Sequence, residues 1–167
     1  MRMVVKPEKP PFVIDIFLQP GELYFGDRHT RIRTVLGSCV SVVFWHPEKL
    51  LGGMTHIMMP PKHDAPLDHQ LDGRYADDAI MMMFDEMKKF KAFDKQYHVK
   101  IFGGGNMFPK TAKEFSKTIG CKNIQAVESI LKKHGFRCKA SHLGGSGHRN
   151  ISFDVWSGHV WMRHVKM

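Results

Sequence analysis

Short apolar runs separated by turn residues fill the first third of the chain and predict a series of β-strands. Residues 12–18 are rich in β-branched and aromatic side chains and precede Gln19-Pro20-Gly21, which indicates a strand followed by a turn. The same criteria predict strands at residues 31–36, 39–45 and 51–58. A polar, proline-rich loop should follow at residues 60–73.

Apolar residues at three- and four-residue spacing predict two helices. The first presents one apolar face, with Asp72 as a candidate N-cap; that face consists of Ala76, Ala79, Ile80, Met83, Phe84 and Met87. The second should span residues 123–133 and end at Gly135; its inward residues are Ile124, Val127, Ile130 and Leu131.

A strand at residues 98–102 runs into Gly103-Gly104-Gly105, and the chain ends in a predicted hairpin around a two-residue turn, Ser157-Gly158. The predicted register sets two apolar pairs opposite one another: Val155 with Val160, and Phe153 with Met162. These patterns together predict an α+β fold. We expect a layered α/β/β sandwich, rich in strands, with two main helices and a C-terminal hairpin.

Length and composition favour a single domain, residues 12–167, behind a flexible tail, residues 1–11, that holds three prolines among charges. No apolar stretch reaches membrane-spanning length, so we expect no membrane insertion. The net charge of +9 comes from scattered basic residues without a nucleic-acid-binding signature. It therefore indicates a solvated basic surface or attraction to an acidic protein partner. Three cysteines, an odd number, predict no disulfide framework and favour a reducing, cytoplasmic setting.

Cys39 and His56 have the most informative chemical context. Cys39 ends the strand-like run 34–39, which tightens at Gly37, and His56 lies in the next predicted hairpin. A thiol becomes an effective nucleophile when a neighbouring imidazole accepts its proton, and hairpin pairing could bring the two residues together. From the residues alone, a structural buried cysteine and a histidine at the edge of the core remain alternatives.

Other polar or glycine-rich segments are weaker candidates. The triglycine at 103–105 lacks the ending of a phosphate-binding loop, so we favour a close backbone approach to neighbouring strands. The groups His63-Asp64 and Asp68-His69, and the pair His142 and His148, lack the usual spacing of metal ligands. We therefore predict solvated loop histidines, no metal and no cofactor.

Two segments carry a family resemblance: Thr34-Val35-Leu36-Gly37-Ser38-Cys39-Val40 and Gly52-Gly53-Met54-Thr55-His56-Ile57-Met58-Met59-Pro60. Shorter matches follow in order at Arg74-Tyr75-Ala76-Asp77, Phe102-Gly103-Gly104-Gly105-Asn106-Met107 and Ile119-Gly120-Cys121-Lys122-Asn123. In these segments the chain resembles the bacterial chemoreceptor glutamine deamidase family, CheD, over most of its length.

The resemblance implies hydrolysis of selected glutamine side chains in the cytoplasmic helices of methyl-accepting chemotaxis receptors, giving glutamate and ammonia. It implies that Cys39 attacks the amide to form a thioester and that His56 acts as general base and then acid. Thr34 would orient His56. Amides at the turn formed by Gly37 and Ser38 are our candidates for the oxyanion hole. Relatives can also hydrolyse glutamyl methyl esters, and relatives bind a chemotaxis phosphatase, CheC.

Alternatives to these roles stay open at this point. Thr30 is the nearby rival of Thr34. Cys121, predicted just before the second helix, and Cys138, in an alternating strand, are rival thiols that the resemblance treats as structural. We expect Cys39 to be partly ionised near neutral pH and to be alkylated before either rival.

Two other functions compete with deamidation. One is a non-catalytic chemotaxis regulator that binds a CheC-type phosphatase; the other is a thiol protease or acyltransferase with the same residues.

The chain also departs from the family pattern around Gly144-Gly145. The family usually has an Asp before this Gly-Gly and a Gly-Arg after it. Here His142 and His148-Arg149 stand at these positions.

Overall fold

A computed structural model describes residues 7–109, 114 and 117–167, and these residues form nine strands and two helices. The strands are β1 Ile14–Phe17, β2 Leu23–Gly26, β3 Thr30–Leu36, β4 Val40–His46, β5 Leu51–Thr55, β6 His98–Gly103, β7 Cys138–Leu143, β8 His148–Asp154 and β9 His159–Val165. The helices are α1 Ala76–Lys89 and α2 Ile119–Lys133. The α+β prediction is confirmed. Residues 1–6 of the predicted tail lie outside the described residues, and the division into tail and domain stays a prediction.

The strands form two sheets. The four-stranded sheet has the order β1-β3-β8-β9, and the five-stranded sheet has the order β2-β5-β4-β6-β7. The pairs β1–β3 and β6–β7 are parallel, and the other neighbours are antiparallel. Strand β4 is central in its sheet and packs against other layers on both faces, so both faces are buried, and only Ser41 interrupts the apolar run from Val40 to Trp45.

The two faces of β4 pack on different layers. Val42 and Phe44 belong to a core shared with both helices, whereas Val43 belongs to a second core shared with the four-stranded sheet. Side chains alternate between faces along a strand, so a single strand contributes to both cores. The layers therefore run helices, five-stranded sheet, four-stranded sheet, as the predicted α/β/β sandwich requires.

The connection from β3 to β4 crosses from one sheet to the other. Residues 37–39 form this crossing, between Leu36 in the four-stranded sheet and Val40 in the five-stranded sheet. Cys39 therefore lies in the seam between the two sheets, where it packs against the inter-sheet core.

Several local predictions were wrong. The short strand β2 was not predicted, because its four residues follow a turn without clear alternation. Helix α2 begins four residues before the predicted start, at Ile119, with the Thr118 side chain accepting the Cys121 amide as N-cap. Asp72 does not cap α1; its carboxylate instead accepts hydrogen bonds from Arg74.

The hairpin between β8 and β9 has a different register from the predicted one. Phe153 faces Val160 and Ile151 faces Met162, around a four-residue loop that ends at Gly158. The amides of Ser157 and Gly158 both donate to the Asp154 carbonyl, which closes the longer loop. A shift of two residues leaves each side chain on its original face, so the apolar pattern alone could not reject the wrong register.

Candidate active site

A buried hydrogen-bond chain fixes the ring of His56. Its Nδ1 lies 2.7 Å from the hydroxyl oxygen of Thr34, and that hydroxyl donates to the Leu18 carbonyl at 2.8 Å. His56 is 3% exposed and Thr34 is 1% exposed, so water does not compete for these contacts. Thr30 lies four residues back along β3, about 13 Å away in an extended strand, and cannot take this place.

The chain also determines which ring nitrogen of His56 carries the proton. A threonine hydroxyl has one proton, and here it is given to the Leu18 carbonyl, which can only accept. The Thr34 oxygen must then accept from Nδ1–H of His56. The neutral ring therefore has its proton on Nδ1 and a free lone pair on Nε2, the form in which an imidazole can act as a base.

Cys39 and His56 line one cavity of about 420 Å³. The cavity is also lined by Phe17, Leu18, Gln19, Pro20, Val35, Gly37, Ser38 and Met107. Its volume lies in the usual range of pockets for small ligands and side chains. Cys39 is half-buried and His56 is buried, so Cys39 is the more accessible of the two residues. A larger depression, between β2 and α1, contains neither residue.

Burial keeps both groups uncharged. It lowers the pKa of His56 to about 4, with the Leu18 carbonyl and Glu22 acting in the opposite direction. Burial also raises the pKa of the Cys39 thiol. The cavity therefore contains an un-ionised thiol and a neutral imidazole at neutral pH. The expectation that Cys39 is partly ionised near neutral pH was wrong, because the sequence showed the partner but not the desolvation.

The carbonyl groups of the loop that carries Cys39 all accept hydrogen bonds from other segments of the protein. The Gly37 carbonyl accepts from Gly105 at 2.9 Å, and the Cys39 carbonyl accepts from Gly104 at 2.8 Å. The Ser38 carbonyl accepts from the Asn123 side chain at 3.1 Å. The amides of Gly37, Ser38 and Cys39 donate no hydrogen bond within the described part of the chain. The loop thus has its acceptors occupied and its donors free.

The triglycine that follows β6 makes the close backbone approach predicted for it. A Cβ at Gly103, where φ is +113°, would collide with the Cys39 carbonyl oxygen. A Cβ at Gly105 would meet the Gly147 carbonyl at 2.5 Å. Residues without side chains are needed here because three segments of backbone pass within hydrogen-bonding distance.

Asn123 is a site residue to which the sequence analysis gave no role. It is fully buried on α2, and its Nδ2 donates to the Ser38 carbonyl at 3.1 Å and to the Met58 carbonyl at 2.9 Å. It therefore joins the Cys39 loop to the segment that follows His56. A signal was present: position 123 falls on the helix face of Val127, and a polar residue on an apolar face needs buried partners.

Comparisons with known proteins identify the family of this chain. A family model described as CheD chemotactic sensory transduction matches residues 58–164. A protein of Pseudomonas savastanoi pv. phaseolicola named probable chemoreceptor glutamine deamidase CheD is 42% identical over 160 residues, covering 95% of this chain and 89% of that protein. The chain belongs to the CheD family.

Two further CheD relatives come from other bacteria. A protein of Leptospira interrogans serovar copenhageni, named probable chemoreceptor glutamine deamidase CheD 1, is 41% identical and covers 92% of this chain and 95% of its own length. A protein of Albidiferax ferrireducens, named probable chemoreceptor glutamine deamidase CheD 2, is 42% identical and covers 91% of this chain and 88% of its own length. Matches of this length include the segment from Thr34 to His56, which the family model leaves out.

His142 and Arg149, near the departures from the CheD pattern, form one buried arrangement. Arg149 is 1% exposed and donates to the Gly144 carbonyl at 2.6 Å and to Nδ1 of His142 at 2.9 Å. It forms no ion pair within the described residues. His142 thus serves as a neutral acceptor for the guanidinium, and His148 begins β8.

The rival residues do not line the cavity that contains Cys39 and His56. Cys121 lies in the first turn of α2, not before it, and is buried. Cys138 is exposed on the edge strand β7. His69 is not a free loop histidine, because its Nε2 lies 2.8 Å from the Asp78 carboxylate. The described residues contain no group of three or more potential metal ligands, and no described helix has the length and apolarity to cross a bilayer.

Proposed function

We propose that this CheD-family protein is a chemoreceptor glutamine deamidase. Its substrates would be selected glutamines in the cytoplasmic helices of methyl-accepting chemotaxis receptors, and its products glutamate and ammonia. Cys39 is the nucleophile, His56 the general base and acid, and Thr34 the residue that orients His56. The protein would act in the bacterial cytoplasm and require no metal or cofactor.

One observation carries this proposal: Cys39 shares a cavity with a histidine whose Nδ1 proton is already committed to Thr34. The free Nε2 of His56 is then the atom that takes the thiol proton as Sγ attacks the glutamine amide carbon. A pKa of about 4 leaves His56 unprotonated and available at neutral pH. The negative charge on the amide oxygen would fall beside the free amides of Gly37, Ser38 and Cys39.

The remaining steps follow from the same groups. The imidazolium of His56 returns its proton to the amide nitrogen, the carbon–nitrogen bond breaks, and ammonia leaves a thioester on Cys39. His56 then removes a proton from water, which attacks the thioester. Collapse of this second intermediate returns the thiol and leaves a glutamate side chain. A glutamyl methyl ester would follow the same path with methanol as the leaving group.

The direct test is incubation of a receptor cytoplasmic fragment with the protein, followed by ammonia measurement and peptide mapping. Deamidation replaces an amide with an acid and raises the peptide mass by about one dalton without cutting the chain. The Cys39→Ala variant should release no ammonia. Shortened peptides would instead indicate a thiol protease, and a transferred acyl group an acyltransferase. An unchanged receptor fragment, with binding of a CheC-type phosphatase intact, would replace the proposal with the non-catalytic regulator.

A further inference from the structure

Among the described residues, no further layer covers the outer face of the four-stranded sheet. Its inner face packs on the five-stranded sheet, while the alternate side chains of β3 and β9 point outward and are exposed. Three of the outward residues are large and apolar: Phe17 is 44% exposed, Val35 41% and Trp161 60%. Exposed apolar groups gathered on one face of a soluble protein commonly mark an interaction site.

The register places these side chains in rows across the sheet. Phe17 pairs with Arg33, Arg33 with Ser152, and Ser152 with Trp161. This row crosses all four strands, and three strand spacings of about 4.8 Å give a length of about 14 Å. At a pitch of about 5.4 Å, an α-helix covers that length in fewer than three turns.

A shallow groove runs along this face and adjoins the candidate active site. Its volume is about 320 Å³. Phe17 and Val35 line both this groove and the cavity that contains Cys39 and His56. A chain segment with a side chain in the cavity would therefore meet the groove immediately beyond it.

The charges in the groove have one sign. Arg33 and Arg163 line it, and none of the described lining residues is a carboxylate. Arg33 pairs at 2.7 Å with Asp15, and both side chains are nearly half exposed. Arg163 is exposed and forms no ion pair with any residue in the described ranges. A partner with carboxylates would be favoured here, and the net charge of +9 would attract it from a distance.

Trp161 is held in a fixed orientation before any partner arrives. Its indole nitrogen donates to the Asp154 carboxylate at 3.1 Å, and that carboxylate is also held by Arg31 at 2.7 Å. A large aromatic ring that is already ordered loses little conformational freedom on binding, which suits it to anchor a partner.

We propose that this face, defined by Phe17, Arg33, Val35, Trp161 and Arg163, is the docking surface for the helix that carries the substrate glutamine. The occupant is an amphipathic, acidic helix that lies across the strands and places its glutamine in the cavity at the Phe17 end. Apolar residues of the helix would contact the apolar members of the docking surface, and carboxylates would meet Arg163. This inference rests on the proposed function, since it assigns the rest of the substrate to a surface beside the proposed active site.

The test compares variants of the docking surface with matched variants in the helix layer. Trp161→Ala and Arg163→Glu remove the anchor and reverse the free charge. Phe93→Ala and Lys88→Glu make comparable changes at exposed positions in and just after α1, on the other side of the molecule. Four quantities are to be measured for each protein: its binding of the receptor cytoplasmic fragment, the KM for deamidation of that fragment, the rate of Cys39 alkylation and the melting temperature.

Each docking-surface variant should weaken binding of the fragment and raise its KM by about 10- to 30-fold, the usual range for loss of an interface anchor. The effect of Arg163→Glu should shrink as salt is added, because the attraction is electrostatic. The alkylation rate of Cys39 and the melting temperature should stay unchanged, which excludes damage to the site or the fold. The two helix-layer variants should bind and react normally.

Failure of the docking surface is distinguishable from failure of the proposed function. If the unaltered protein deamidates the fragment and Trp161→Ala and Arg163→Glu do so with normal KM, the docking surface is refuted and the function stands. If the unaltered protein releases no ammonia but the two variants lose binding, the docking surface stands without the deamidase. Self-association of the protein that disappears in Trp161→Ala would assign the face to a second copy and overturn the proposal.

Discussion

Replacing Thr34 with valine tests the hydrogen-bond chain behind His56 with almost no change in side-chain shape. The substitution removes the oxygen that accepts from Nδ1 of His56 at 2.7 Å and donates to Leu18 at 2.8 Å. The Leu18 carbonyl remains as a substitute acceptor for the ring, so the tautomer is not reversed. In the proposed mechanism, the substitution would remove the orientation of the His56 ring and the stabilisation of the positive charge that His56 acquires when Cys39 attacks.

The size of the effect follows from that charge. A hydrogen bond to a charged group contributes about 1.5–3 kcal/mol, and a tenfold change in rate corresponds to about 1.4 kcal/mol. Thr34→Val should therefore lower kcat by about 10- to 150-fold, with little change in KM. The assay is steady-state ammonia release from a receptor cytoplasmic fragment, with thermal unfolding to confirm that the fold is kept.

Two matched variants make the result interpretable. Thr34→Ser keeps the hydroxyl and should retain kcat within about threefold. Thr30→Val alters another threonine of β3 that is also 1% exposed but does not contact His56, and it should leave kcat unchanged. Normal kcat in Thr34→Val, or an equal loss in Thr30→Val, would refute the orienting role of Thr34.

Three further results are expected. Cys39→Ala and His56→Ala should each abolish deamidation, and the double variant should be no worse than either, because residues of one catalytic unit do not contribute additively. If the two losses in rate multiply instead, the residues have independent roles. Alkylation of Cys39 by iodoacetamide should be slow at pH 7 and rise about tenfold per pH unit toward pH 9, because burial raises the thiol pKa and only the thiolate reacts. A rate plateau between pH 5 and 8 would instead show a preformed ion pair of the Cys39 thiolate and the His56 imidazolium. Asn123→Leu, which leaves the partly buried carbonyls of Ser38 and Met58 without their donor, should lower kcat about tenfold or more. Retention of full activity would show that Asn123 has no role in the site.

The sequence predicted the parts of the fold that depend on local periodicity. Helix α1 and the central strands were found because their apolar spacing reports burial directly. The start of α2 and the hairpin register were wrong, because Thr118 and the Asp154 carbonyl act through contacts that leave no periodic trace. The short strand β2 is held mainly by pairing with β5, which no local pattern shows.

In the candidate site, too, some features could be predicted from the sequence and others depend on contacts between distant residues. Cys39, His56 and Thr34 were selected from sequence because the family resemblance covers all three. The charge state of Cys39 was mispredicted, since desolvation depends on residues distant in the chain. The bridge formed by Asn123 spans 85 residues to Ser38 and could not be predicted without the fold, although its polar side chain on an apolar face was visible.

Because the chain crosses between the sheets at residues 37–39, the alignment of the candidate site residues depends on how the two sheets pack on each other. Thr34 belongs to the four-stranded sheet, His56 follows β5 of the five-stranded sheet, and Cys39 lies between them. A slide of one layer past the other would misalign all three without breaking a strand. Under the proposed mechanism, substitutions at inter-sheet positions such as Val43 or Ile151 should lower the deamidation rate while the protein remains folded. Catalytic rate would then report core packing more sensitively than a melting curve does.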